Sequence, residues 1–352
     1  MLNNSTKNLE SRQESREELT RDSDEELPLF DHLRSNVYLP ALPPIASQIL
    51  KMCRSEEADV DQLAALMSQD PAVVARLLQT ANSSYFGGSR HKVTNIVQAV
   101  TLLGMDAVGS LAFSFCFYRL FQDMNNPGQA GMNHGKFWRR SIMASIAGRT
   151  LGQWCKAPDP ELIHISALLQ DIGLLALNSV APEVTGTLTT DSQDDHTQLQ
   201  ILEKQYFGCD HAKMGKWIAE SWQLPEEFQA AIAASHHPEI PNDCSTARLT
   251  TLHCVALSGR LADVWCQPDT EKAVWEATTA AKDFLDLTPK DVEAILRLIP
   301  RGLTEIASFF QDHIGSAQEI DHILNSATKI LLAMAPDTVQ DETSFRSSST
   351  VR

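Results

Sequence analysis

The sequence predicts an all-α fold built as two lobes, on three observations. Apolar residues recur at helical spacing from about residue 45 to 333, no alternating strand pattern of useful length interrupts them, and helix start and stop signals divide them at short intervals. A hydrophobic fraction of 43% over 352 residues supplies a real core, with room for two units of ordinary size.

Residues 1–27 are polar and dense in both charge signs, so they cannot bury enough surface to offset their ordering entropy. A disordered leader is expected there. The first lobe is placed at 28–123. Leu39-Pro40-Ala41-Leu42-Pro43-Pro44 fixes an extended entry into a helix through Ile45, Ile49, Leu50 and Met52. A second helix follows from Asp59, with Leu63, Leu66 and Met67 on its apolar stripe. Asp70 then serves as N-cap and Pro71 as first residue of a third, which carries Val73, Val74, Leu77 and Leu78 up to the loop Asn82 to Gly88. Val93 to Leu103 and Asp106 to Phe121 complete the lobe, the latter apolar on most faces.

Met124 to Gly131 is rich in Asn, Gly and Pro and marks a linker, placed at 124–136. The second lobe spans 137–268. Phe137 to Leu151 is its first helix, and the next, 161–178, is read as one buried helix with Gln170 and Asp171 at its centre. Asp191 to His196 reads as a polar loop, followed by a helix to Phe207. Asp210 caps another through Trp222, and Leu224-Pro225-Glu226-Glu227 opens one that runs to Ser235-His236-His237-Pro238. A helix at 247–266 closes the lobe. Further helices over 269–335 are expected to pack on it, before a polar, disordered tail at 336–352.

A net charge of −16 argues against a nucleic-acid surface, which needs clustered Lys and Arg. The helix-turn-helix spacing around Asp70-Pro71 leaves DNA reading open as a minor alternative, although the second helix there offers only Arg76 as a cation. Seven cysteines fall at no metal or redox spacing and read as reduced core thiols. No signal segment is seen and no run is expected to span a bilayer, so a cytoplasmic location without membrane contact is expected.

The buried Asp171 requires a partner, because an uncompensated carboxylate in apolar surroundings costs several kcal/mol or stays protonated. The motifs around it, taken in order, resemble the HDOD family, whose name stands for HD-related output domain. They are Leu39 to Pro44, Gln69-Asp70-Pro71, Ala81-Asn82-Ser83, Ala99 to Gly104, Phe137 to Ser141, Ala167 to Gly173, Trp222 to Pro225 and His236-His237-Pro238. The resemblance implies an all-helical bacterial signalling module related to HD metal phosphohydrolases but lacking their complete metal site. Aligned residue by residue, Arg140 stands where the first metal-binding His would be, Gln170 replaces the His of the His-Asp pair, and the late acid falls on Gly259, with Asp263 one turn on. Asp171, His211, His236 and His237 remain.

A guanidinium stays charged and cannot coordinate a cation, so Arg140 and Asp171 are expected to form an ion pair in place of a metal. No metal and no cofactor are then expected, and no catalytic residue is assigned. The alternative, one metal on Asp171 and three histidines, stays open. A groove between the lobes near Asp70, Asn82 and Tyr85 is a candidate ligand or partner site. The expected function is a non-catalytic regulatory module acting by binding a separate signalling protein chain or a small ligand. A metal-dependent phosphohydrolase acting on a nucleotide or phosphoester is the first alternative and a DNA-binding regulator the second. Neither end has room for a receiver, kinase or cyclase domain such as relatives often carry, so input and output are expected from another chain. The sequence leaves the oligomeric state open.

Overall fold

The computed structural model describes residues 41–55, 58–83, 92–122, 131–238, 245–314 and 316–334. Among them all regular structure is helical. The leader, the tail, Tyr85 and most of the linker lie outside the described residues.

In the first lobe α1 (Pro44–Cys53), α3 (Pro71–Ala81) and α4 (Ile96–Leu103) pack on α5 (Met105–Gln122), and α2 (Val60–Met67) packs on α1, α3 and α4. Local chemistry sets their starts. The carboxylate of Asp59 accepts from the Asp61 amide, that of Asp70 from Ala72 and Val73, and the Asn95 side chain from Gln98. α4 begins three residues later than the pattern suggests because Val93 is held elsewhere. The Asn82 amide donates to the Leu78 and Val93 carbonyls, and its oxygen accepts from the Val93 amide. Asn82 therefore ties the two ends of the 83–92 loop together. Asp70, besides capping α3, pairs with Arg119 of α5 at 2.5 Å.

The lobes meet along α5. Phe117 and Tyr118 pack edge-on against Trp138 of α6 (His134–Trp154), and Phe117 also meets Trp222. Beside this aromatic seam the Ser114 hydroxyl lies 3.2 Å from Nε2 of His164, whose Nδ1 lies 3.0 Å from the Ser145 carbonyl. Burial, and secondarily Arg149, push the His164 pKa down to about 3, so the ring is held neutral. The sign of the consequence is fixed. Between the unfolded value near 6.5 and about 3 the unfolded chain binds a proton that the folded chain refuses, so stability falls as pH falls through that window. The expected slope is ~1.4 kcal/mol per pH unit from this one group. It is read as the difference in urea midpoints between the wild-type chain and His164→Asn at pH 7, 6 and 5, and a pH-independent difference would contradict it.

In the second lobe α6 is the central rod. It packs on α7 (Pro160–Leu169), α13 (Thr246–Cys266) and α15 (Pro289–Ile314). α8 (Ile172–Val180) lies against α11 (His211–Ser221), with α9 (Pro182–Asp191), α10 (His196–Phe207) and α12 (Glu226–Ala233) around them. α14 (Thr270–Leu285) packs on α13, and α16 (Ala317–Met334) on α14 and α15.

Three readings of this lobe are corrected. The single helix expected at 161–178 is two, α7 and α8, broken at Gln170-Asp171, where Asp171 leaves helical geometry with φ −101° and ψ 9°. A close approach requires the redirection. A Cβ on Gly173 would lie 1.9 Å from the His211 carbonyl oxygen and 2.8 Å from the Gly215 amide, so the backbones of α8 and α11 touch there. A helix, α9, precedes the polar loop, and His196 is not in that loop but is the buried first residue of α10 behind the Asp195 cap. Finally, Pro160–Val180 does reach the length and apolarity of a membrane span, at mean hydropathy 1.4. It is also 83% buried inside the fold, as a core helix pair would be.

Candidate functional site

The break between α7 and α8 delivers Asp171 into the middle of the second lobe, 1% exposed. Arg140 reaches it from α6. Its Nη1 donates to Asp171 Oδ2, while Nε donates to Asp263 Oδ1 at 2.8 Å and Nη2 to Asp263 Oδ2 at 3.3 Å. The guanidinium thus spans two buried carboxylates from two different elements. The partner expected for Asp171 is the one present. Asp263 is the second, on the same side of the site.

Gly259 and Gln170 explain how the guanidinium fits. A Cβ at Gly259 would lie 2.9 Å from Arg140 Nη2 and 2.9 Å from Gln170 Oε1, so a larger residue there would collide with both. Gln170 is fully buried. Its amide donates to the Ala167 carbonyl at 3.1 Å on its own helix, and its Oε1 has no hydrogen-bond partner among the described residues.

On the other side of Asp171 three imidazoles converge. His196 Nε2 stands 3.3 Å from Asp171 Oδ1 and 3.0 Å from His211 Nε2. His211 Nε2 lies 3.6 Å from the same oxygen and 2.6 Å from His236 Nε2. One ligand atom from each of the four residues lies within 4.8 Å of the others. Asp171 Oδ1 accepts no hydrogen bond of good geometry although it is completely enclosed. Glu203 of α10 fixes the far edge of His211. Its Oε2 lies 2.6 Å from Nδ1 and accepts from the His211 amide at 2.9 Å, so Nδ1 carries the proton and Nε2 faces the cluster.

Electrostatics follow from these contacts. Burial alone would raise the Asp171 pKa, but Arg140 and then His196 hold it well below the carboxylate range. Burial opposes a charge on His211, yet Glu203 more than offsets it and the value rises. His196 is lowered by burial and by Arg140, and His236 is pushed well down by burial and by His211. Two buried carboxylates, Asp171 and Asp263, thus face one guanidinium, and a third, Glu203, faces His211, whose pKa it raises.

The residues fit one cation on the histidine side, with three ring nitrogens and an unsatisfied carboxylate oxygen as donors. On the other side of Asp171, Arg140 fills the space between Asp171 and Asp263 with positive charge.

Of the residues singled out in the sequence, Arg140, Gln170, Asp171, His211 and His236 are brought together. His237 is not, because its side chain is exposed beyond the turn after α12. His196 takes the expected place of His237, and Glu203 is its unforeseen companion. Both sit on the buried face of α10 with Leu199, Gln200 and Phe207, a helical spacing visible in the sequence. A cavity of about 390 Å³ opens beside the cluster, lined in part by Lys136, Phe137, Arg140, Asp171, Thr189 and His196. Lys136 pairs with Asp194 at its rim at 2.6 Å, where Gln193 and Asp194 hold positive φ of 53° and 64°. Asp70 and Asn82 do not line this cavity.

The geometry agrees with the comparisons to known proteins. An HDOD domain protein of unknown function from Geobacter sulfurreducens superposes with a TM-score of 0.59 at 20% identity, covering 89% of this chain and 98% of that one. A Marinobacter aquaeolei VT8 protein described provisionally as a signal transduction protein gives 0.60 at 20% identity, over 84% and 68% of the two chains. A Shewanella amazonensis SB2B protein described provisionally as a phosphohydrolase gives 0.55 at 22% identity, over 84% and 97%. These likenesses establish the fold. In sequence, an uncharacterized protein of Treponema pallidum (strain Nichols) is 25% identical over 206 residues, 58% of this chain, which spans 39% of that protein's length. The HDOD domain model matches residues 39–238, more than half of the sequence, and the chain accordingly belongs to the HDOD family.

Proposed function

We propose that the chain is a signal-transduction module that works by binding, to a separate signalling protein chain or a small ligand, and does not itself turn over a substrate. The observation that carries this reading is the Arg140 guanidinium lodged between Asp171 and Asp263. A permanent cation there repels any metal from that half of the centre and occupies both carboxylates that would hold it. Two-metal chemistry, which clamps the attacking and leaving oxygens between a pair of ions, has no second position to use. The provisional description of the Marinobacter relative as a signal transduction protein points the same way.

A second reading, metal-dependent phosphoester hydrolysis at a single ion, is favoured by the orphaned Asp171 Oδ1 and the three converging ring nitrogens. A divalent ion held by Asp171, His196, His211 and His236 would supply Lewis acidity and a more acidic bound water. In that arrangement Glu203 orients His211, Arg140 fixes Asp171, and the cavity beside them receives the ligand.

The test uses full-length protein purified without a metal-affinity tag. Metal content is measured first, then release of phosphate or nitrophenol from a panel of nucleotides and phosphoesters with added magnesium, manganese, iron or zinc. The expected result is at most one bound ion and no turnover above that of Asp171→Ala. Saturable turnover lost in Asp171→Ala would replace the first reading with the second.

A further inference from the structure

The cavity beside the central ion pairs has a one-sided chemistry. Part of its wall is apolar, at Met132, Phe137, Leu174 and Leu199, and its hydroxyl groups are spent as donors. Thr189 donates to the carbonyls of Thr185 and Gly186, Thr190 to that of Gly186 at 2.8 Å, and Ser192 to that of Thr189 at 2.9 Å. A hydroxyl has one proton, so toward the cavity these three can only accept. The charges lean the same way. Four carboxylates line the space, Asp171, Asp194, Asp195 and Asp263, against two permanent cations, Lys136 and Arg140. Lys136 is matched by Asp194, whose two oxygens accept from its ammonium at 2.7 and 2.6 Å, and Asp195 is matched by Lys272 from outside the lining. Arg140 alone stands against both Asp171 and Asp263, which leaves one negative charge over. His196, whose pKa burial lowers, adds no positive charge at neutral pH. At that end of the cavity Asp171 is 1% exposed, and its Oδ1 accepts no hydrogen bond. The volume, about 390 Å³, suits a small molecule.

We propose, resting on the reading above that the module binds without turnover, that this cavity takes a small organic cation, an alkyl- or arylalkylammonium. Its N–H donors face Asp171 and Asp263, and its carbon body lies against Phe137 and Leu174. Such a ligand supplies the two things the lining lacks, spare donors and one positive charge. A phosphoester meets the opposite complement, with acceptor oxygens against acceptor oxygens and negative charge against a surplus of the same sign. Lys136 is the resident competitor. Its ammonium rests on Asp194 at the rim as a ligand ammonium would, and its side chain is 60% exposed, so it can give way.

Isothermal titration calorimetry on the full-length chain, treated with EDTA and desalted so that no divalent ion offsets the surplus charge, compares phenethylamine and putrescine with phenylacetate and phenyl phosphate. At least one amine is expected to bind saturably at a single site, and the anions more weakly or not at all. Lys136→Ala removes the competing ammonium from an exposed position and should tighten amine binding roughly three- to tenfold, whereas Asp194→Asn should weaken it by a similar factor. If the Lys136–Asp194 pair only held the rim in shape, breaking it from either side would move the affinity in the same direction. Failure of both amines to bind at millimolar concentration, tighter binding of either anion, or weaker amine binding in Lys136→Ala would overturn the proposal. Absence of amine binding leaves the binding-module reading standing, since a protein chain can be the partner, whereas phosphoester turnover strikes that reading itself.

Discussion

Arg140→Ala should lower the unfolding free energy by roughly 3–5 kcal/mol, because it leaves two enclosed carboxylates with no cation between them. Both lose their charge-assisted hydrogen bonds, and the cavity left behind is walled by Asp171, Asp263 and Gly259. Arg140→Lys keeps the charge but not the three-point fork, so an intermediate loss is expected. The pH dependence supplies a check. Asp171, held far below its unfolded value, contributes stability that is present above about pH 4 and is lost as pH falls through the folded value. Removing Arg140 removes most of that contribution, so the deficit of Arg140→Ala should shrink as pH drops below about 4. Urea titrations of both chains at pH 7 and pH 3.5 measure it (about half a unit below the unfolded carboxylate value). A deficit near zero at neutral pH would mean that the ion pair is not what holds these helices together.

Gly173→Ala should be comparably damaging for a different reason. The added methyl would stand 1.9 Å from a backbone carbonyl, and backbone atoms cannot rotate away as a flexible side chain would. Overpacking of this kind costs roughly 1–3 kcal/mol and more where helices must separate. The carbonyl belongs to His211, so the displacement should also loosen the Nδ1 contact with Glu203. Imidazole NMR signals separate the two effects. In the wild-type chain one ring should keep its proton above the usual histidine pKa, and in the variant that ring should titrate closer to an ordinary histidine. A variant with unchanged midpoint and unchanged His211 titration would show that α8 and α11 do not need their close approach.

Much of this was legible in the sequence, and the parts that were not share a cause. Asp70 and Asp210 were readable as caps because a cap is decided by residues within three positions. The Arg140–Asp171 pair was readable because a carboxylate inside an apolar run must find a partner, and the family resemblance put Arg140, among the several arginines of its helix, where the first metal-binding His would stand. The break at Gln170-Asp171 was hidden because its cause, the contact of Gly173 with α11, lies almost forty residues away in the chain. His196 was concealed by the polar residues preceding it, although Glu203 and Phe207 follow at helical spacing. Nothing local distinguishes His236 from His237. Which of two adjacent rings turns inward depends on how the turn after α12 meets His211. The cavity is likewise tertiary, since its walls come from the residues before α6, the turn after α9 and the end of α13.

The three contacts that assemble this centre close over very different lengths of chain: 8 residues from Glu203 to His211, 31 from Arg140 to Asp171, and 123 from Arg140 to Asp263. A protein made from its N-terminus outward makes them available in a different order, Arg140–Asp171 first, Glu203–His211 next and Arg140–Asp263 last, when α13 arrives. Until residue 263 has left the ribosome, α6 has no partner along the face that α13 will cover, and the guanidinium has one carboxylate instead of two. The last ion pair therefore marks the arrival of α13, and chains ending short of it leave bare the buried face of α6 that α13 covers.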